Sequence, residues 1–67
     1  MIRIHINGEE RTTEAEGTLA RLLEELGLAG SRIAVEVNEE VVPASRHADT
    51  VLAAGDRIEI VHAIGGG

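Results

Sequence analysis

The chain has 67 residues, six basic against twelve acidic for a net charge of -6, and contains no cysteine, phenylalanine, tyrosine or tryptophan. Phosphates repel such a surface, so a nucleic-acid partner is not expected and a basic protein surface suits it better. Without thiols neither a disulfide nor a thiolate metal centre can form. A single small domain is expected, with a core of Ile, Leu, Val and Ala.

From the amino end, Ile2, Ile4 and Ile6 alternate with Arg3, His5 and Asn7, the period-two pattern of a half-buried strand. The same alternation is unlike a signal peptide, and no stretch is long and apolar enough to span a membrane. With the absence of cysteine, this makes a reducing cytoplasm the expected compartment. Asn7-Gly8 predicts a two-residue hairpin turn, and Glu9 to Ala15, polar and threonine-rich, predicts a second strand at the sheet edge. Thr18 is a helix cap, followed by Leu19, Leu22, Leu23 and Leu26 on one helical face, with Gly27 at the left-handed end. A helix this short needs a sheet to pack on.

Ile33, Val35 and Val37 alternate through a third strand, and Val41-Val42 forms a short fourth piece before Pro43 interrupts pairing. The stretch from Ala44 to Ala54 reads as a loop with Val51 and Leu52 as buried anchors. Gly55-Asp56 turns the chain into a last strand, where Ile58 and Ile60 face the core and Glu59 and Val61 face outward. The order predicts an α+β fold of the ubiquitin-like β-grasp type. It is a mixed sheet of about five strands crossed by one main helix, with first and last strands adjacent at the centre. The domain is expected over residues 1–64, with 65–67 as a flexible glycine tail.

That tail, Gly65-Gly66-Gly67, buries no side chain and carries the largest backbone entropy, so its use is expected outside the fold. It presents a slender α-carboxylate, ionised at neutral pH with a pKa of about 3.5. Drawn out, Ala63 to Gly67 reach about 17 Å, enough to thread a narrow channel. No nucleophile, base and oxyanion donor come together elsewhere, so no catalytic residue is assigned. Val61 and Ile64 read either as an apolar docking patch beside the tail or as ordinary sheet packing. His5, His47 and His62 are too dispersed for a metal site and read as surface residues. The pairs Glu9-Glu10, Glu24-Glu25 and Glu39-Glu40 read as solvated turn and helix surfaces.

The run Asn38-Glu39-Glu40-Val41-Val42-Pro43, the loop Arg46-His47 and the stretch from Gly55-Asp56 to Gly67 together closely resemble the ThiS family of thiamine-biosynthesis sulfur carriers. The resemblance spans the chain. It implies a protein cosubstrate rather than an enzyme, with no permanently bound cofactor. A ubiquitin-activating-type, ThiF-like adenylyltransferase would use ATP to adenylate Gly67. A sulfur-donating persulfide protein would supply sulfur to make a thiocarboxylate, and a thiazole synthase (ThiG-like) would receive it. Gly65 and Gly66 would give the terminus clearance. Two other readings stay open: the small subunit of a molybdopterin-synthase-like enzyme, and a ubiquitin-like modifier. The chain has no lysine of its own, so only its amino terminus could act as an amine acceptor.

Overall fold

The computed structural model describes residues 1–62. Five strands, one α-helix and a 3₁₀ helix are found there, in the order β1 (Ile2–Ile6), β2 (Glu9–Thr13), α1 (Leu19–Glu25), β3 (Ile33–Val37), β4 (Glu40–Val42), the 3₁₀ helix (Ala44–Asp49) and β5 (Arg57–His62). They make one sheet with strand order β2-β1-β5-β3-β4. β1 and β5 run parallel at the centre, with Ile6 opposite Ile58, and the remaining pairs are antiparallel. This is the ubiquitin-like β-grasp arrangement expected from the order of elements. The domain limit expected after residue 64 lies outside the described residues.

Alternation in the strands produces the two faces of the sheet. Ile4, Ile6, Val35, Ile58 and Ile60 point to the helix side, where they meet Leu19, Leu22 and Leu23 of α1 and Leu52 of the preceding loop. Leu26 and Leu28 close that cluster from the end of the helix. Thr18 caps α1, its side chain accepting from the Arg21 N–H at 3.2 Å. Gly27, at φ +75°, ends it. Its N–H donates to Glu24 O at 3.0 Å and the Leu28 N–H to Leu23 O at 2.8 Å, the paired bonds of a Schellman motif.

Two expectations are corrected. β2 stops at Thr13 rather than running to Ala15, because Thr13 is already opposite Ile2, where β1 begins; nothing remains in β1 for later residues to pair with. Val51 is 60% exposed, and only its neighbour Leu52 is buried. The chain there is extended, with Val51 bridging antiparallel to Thr18, and successive residues of extended chain point to opposite sides. The same contact ties the helix start to the loop, with the Leu19 N–H donating to Thr50 O at 2.8 Å and the Leu52 N–H to Gly17 O at 2.9 Å. Part of the expected loop is itself ordered as the 3₁₀ helix.

Candidate functional site at the end of β5

β5 carries the chain from the middle of the sheet towards the terminal glycines. On one side it pairs with β3 to its last residue, with Val61 opposite Ala34 and His62 opposite Ile33. On the other side β1 runs out earlier. The Asn7 N–H donates to Ile58 O at 2.9 Å, and the backbone then turns away through Asn7 and Gly8, both at positive φ. The Asn7 side chain continues the ladder in its place: Oδ1 accepts from the Ile60 N–H at 2.8 Å, and Nδ2 donates to Ile60 O at 3.2 Å. Both backbone polar groups of Ile60 are thus taken up by Asn7, one residue before Val61.

Val61 lies on the open face of the sheet and is 59% exposed, as its parity in the strand predicts. Its neighbours across the strands on that face are Ala34 and, one step along, Glu59 opposite Glu36 and Glu36 opposite Val41. Val41 is 70% exposed. Two carboxylates placed directly opposite one another cost rather than stabilise a sheet. Beside the strand end, a cavity of about 230 Å³ is lined by Ile6, Asn7, Leu26, Leu28, Ile60 and His62, with Glu9 and Arg11 at its margin. Ile64, Gly65, Gly66 and Gly67, the other residues singled out in the sequence, lie outside the described residues.

A larger concavity, about 650 Å³, is elsewhere, around Asn38, Val41, Arg46, Val51 and Asp56, where β5 begins. Among the described residues no cluster of three or more His, Asp or Glu could hold a metal, and the histidines lie apart. His47 Nε2 is 3.0 Å from Val42 O, and His5 Nδ1 is buried with no hydrogen-bond partner. No helix among the described residues is long and apolar enough to cross a membrane.

The second role of Asn7 was not legible in the sequence, where its place in a two-residue turn already accounted for it. Asn38 has an equivalent role at the start of β5. Its Oδ1 accepts from the Arg57 N–H at 2.9 Å and its Nδ2 donates to Asp56 Oδ1 at 2.9 Å. A sequence signal exists in retrospect: both two-residue turns of the sheet begin with asparagine.

The ThiS family model matches residues 4–67, from the first strand through the last glycine. The chain belongs to the ThiS family. It is 38% identical over 64 residues to the sulfur carrier protein ThiS of Thermus thermophilus, covering 96% of this chain and 98% of that one. The crystal structure of the thiamine biosynthesis protein ThiS from Geobacter metallireducens superposes with a TM-score of 0.84 at 30% identity, covering 98% of this chain and all of the other. A third relative is of a different kind. A thiazole synthase from Paramagnetospirillum magneticum is 47% identical over 66 residues, and the chain spans only 20% of that protein's length. Family membership and fold therefore agree with the resemblance carried by the C-terminal run, and they bring residue 67 within the matched region.

Proposed function

We propose that this chain is a sulfur carrier of thiamine biosynthesis, bearing sulfur as a thiocarboxylate on Gly67 and delivering it to a thiazole synthase. The observation that carries the proposal is the family match through residue 67 on a fold whose central strand β5 ends at His62, three residues before the first of the glycines.

In the first step an oxygen of the Gly67 α-carboxylate attacks the α-phosphorus of ATP, and pyrophosphate leaves. The carboxylate is ionised at neutral pH. The resulting acyl adenylate has AMP as a good leaving group. In the second step a terminal sulfur of a persulfide protein attacks the acyl carbon and AMP departs. A thiolate then attacks the donor's sulfur of the acyl disulfide, forming a disulfide with the donor and releasing the other sulfur as the carrier's thiocarboxylate. These steps take place in partners, a ThiF-like adenylyltransferase first, and ATP is that partner's substrate. The carrier contributes a narrow terminus and a surface beside it, in which Val61 is exposed and Ile64 is a second candidate contact.

Delivery to a thiazole synthase is supported by the relative from Paramagnetospirillum magneticum, in which a stretch 47% identical to this chain lies within a thiazole synthase chain about five times as long. Covalent linkage keeps two functions at high effective concentration, which favours partners that work together.

The test is intact mass after incubation with ATP, a ThiF-like enzyme, a persulfide donor and a thiol reductant. One oxygen-for-sulfur exchange is expected, localised to the C-terminal peptide. Pyrophosphate release with no exchange would leave adenylation but remove the carrier role, and neither signal would remove both.

A further inference from the structure

A two-residue turn of the Asn7-Gly8 kind is served about equally by Asp-Gly, because either short polar side chain tolerates positive φ. Asn7 does more than satisfy the turn. A carboxamide offers a donor and an acceptor side by side, and Asn7 directs both at one residue 53 positions away, Ile60. The side chain thereby takes the place of one more peptide unit of β1.

Beyond Glu59, the β1 side of β5 has no main-chain partner from β1, whose register with β5 ends at Ile6 opposite Ile58. Without the carboxamide, the backbone at the end of β5 would have hydrogen bonds to β3 alone among the described residues, as in a two-stranded ribbon, with Ile60 still packed in the core. Such ribbons twist and fray more than strands flanked on both sides. Heading matters here because Val61 and His62, the strand residues that follow Ile60, set the direction in which the chain leaves the sheet.

We infer that Asn7 is a positioning residue for the sulfur-bearing terminus. It fixes the direction of β5 where the chain leaves the sheet and so sets the approach of the terminal residues to the activating enzyme. The consequence rests on the sulfur-carrier reading, whereas the hold on Ile60 is a property of the fold. Asn38 supplies a control at the other end of β5, where its Oδ1 accepts from the Arg57 N–H while its Nδ2 goes to the Asp56 carboxylate just before the strand.

The experiment compares Asn7→Asp, Asn7→Ala and Asn38→Ala with the wild-type chain. Asn7→Asp keeps the turn preference and the acceptor for the Ile60 N–H but sets a carboxylate oxygen against Ile60 O. It therefore isolates the clamp even if the alanine variant folds poorly. Backbone relaxation without any partner is read first. Order parameters at Val61 and His62 are expected to fall from about 0.85 towards 0.6 in the Asn7 variants and to stay unchanged in Asn38→Ala. Pyrophosphate release with the activating enzyme is read second. A rise in KM for the carrier of about 3- to 10-fold with kcat unchanged is expected for the Asn7 variants alone, the pattern of a lost preorganised population.

Unchanged order parameters in the Asn7 variants, or an equal fall in Asn38→Ala, overturn the clamp whatever the enzyme does. A fall in order with no change in KM overturns its part in presentation. If the wild-type chain is not adenylated at all, the carrier reading fails and presentation with it, while relaxation still decides whether Asn7 holds the end of β5.

Discussion

The two ends of β5 are gripped by the same chemistry set in different surroundings. Where the strand begins, Asn38 is part of a mesh. Its N–H donates to Arg57 O at 2.7 Å, its side chain joins Arg57 and Asp56, and Asp56 in turn accepts from the Ala53 N–H at 2.8 Å. The preceding turn is fixed to β1 as well, with the Gly55 N–H donating to Arg3 O at 2.7 Å and the His5 N–H to Asp56 O at 2.9 Å. Where the strand ends, the Asn7 side chain supplies the hydrogen bonds on the β1 side among the described residues. The difference separates a densely bonded end from a sparsely bonded one. Local stability is expected to be lower where a protein must hand part of itself to a partner, and the contrast can be broken experimentally.

The largest effect is expected from Ile58→Ala. Ile58 is 1% exposed and lies between Ile6 and Val37, so its truncation removes buried volume that two other strands share. A cost of about 2–5 kcal/mol follows. A chain of this size has roughly 3–10 kcal/mol in total, so urea denaturation should show a midpoint shifted far down or a partly unfolded population. A loss under about 1 kcal/mol would contradict the placement of β5 in the core.

Next is Asp56→Ala, which removes the acceptor for both the Ala53 N–H and Asn38 Nδ2. A cost of about 1–3 kcal/mol is expected. The sharper readout is where the loss appears: amide exchange should rise around residues 53–57 and stay at wild-type levels at Val61. Equal loosening at both ends would show that β5 responds as one unit and remove the distinction.

Much of this architecture was legible because short-range pattern and long-range packing agree. Ile2, Ile4 and Ile6, the pair Ile58 and Ile60, and the leucines of α1 each have a periodicity that leaves one possible buried face. What was not legible depended on partners remote in sequence. Val51 and Leu52 are both apolar, and only the bridge to Thr18 decides which turns inward. The end of β2 depends on where β1 begins. The second roles of Asn7 and Asn38 are hidden by sufficiency, since turn geometry already explains an asparagine at each. At the candidate site the exposure of Val61 followed from strand parity, but the hydrogen bonds from Asn7 to Ile60 could not be foreseen.

The two hairpin turns offer a smaller and opposite test. In the first, Gly8 occupies the second turn position at φ +85°; in the second, Glu39 does so at φ +71°. A side chain in that region costs about 1–2 kcal/mol, which glycine relieves at some cost in unfolded-state entropy. Glu39→Gly is therefore expected to stabilise the domain by about 0.5 kcal/mol, raising Tm by roughly 2–4 °C. Gly8→Glu should lower it by a similar amount or more. A fall in Tm for Glu39→Gly would mean that the glutamate makes a contact worth more than the strain it carries.

The smallest effect on stability, and a large one on function, is expected beyond β5. Gly66→Ala and Gly67→Ala each add one methyl group, and a change in stability of no more than about 0.5 kcal/mol is expected if the tail packs on nothing, read as an unchanged Tm. Adenylation depends on threading the terminus to a nucleotide, where the methyl both widens the chain and narrows its backbone freedom. Misplacement on the order of 1 Å at a reacting centre can cost about 100-fold, so turnover in pyrophosphate release is expected to fall by about 10- to 100-fold. Placing the methyl earlier distinguishes the two causes. Ala63 already carries one, so Ala63→Gly should leave turnover nearly unchanged if clearance near the carboxylate is what matters, and lower it if the aim set at the end of β5 must be transmitted through a stiffer link. Equal turnover for Gly66→Ala, Gly67→Ala and the wild type would remove the glycines from the mechanism and leave the strand end as the part that partners recognise.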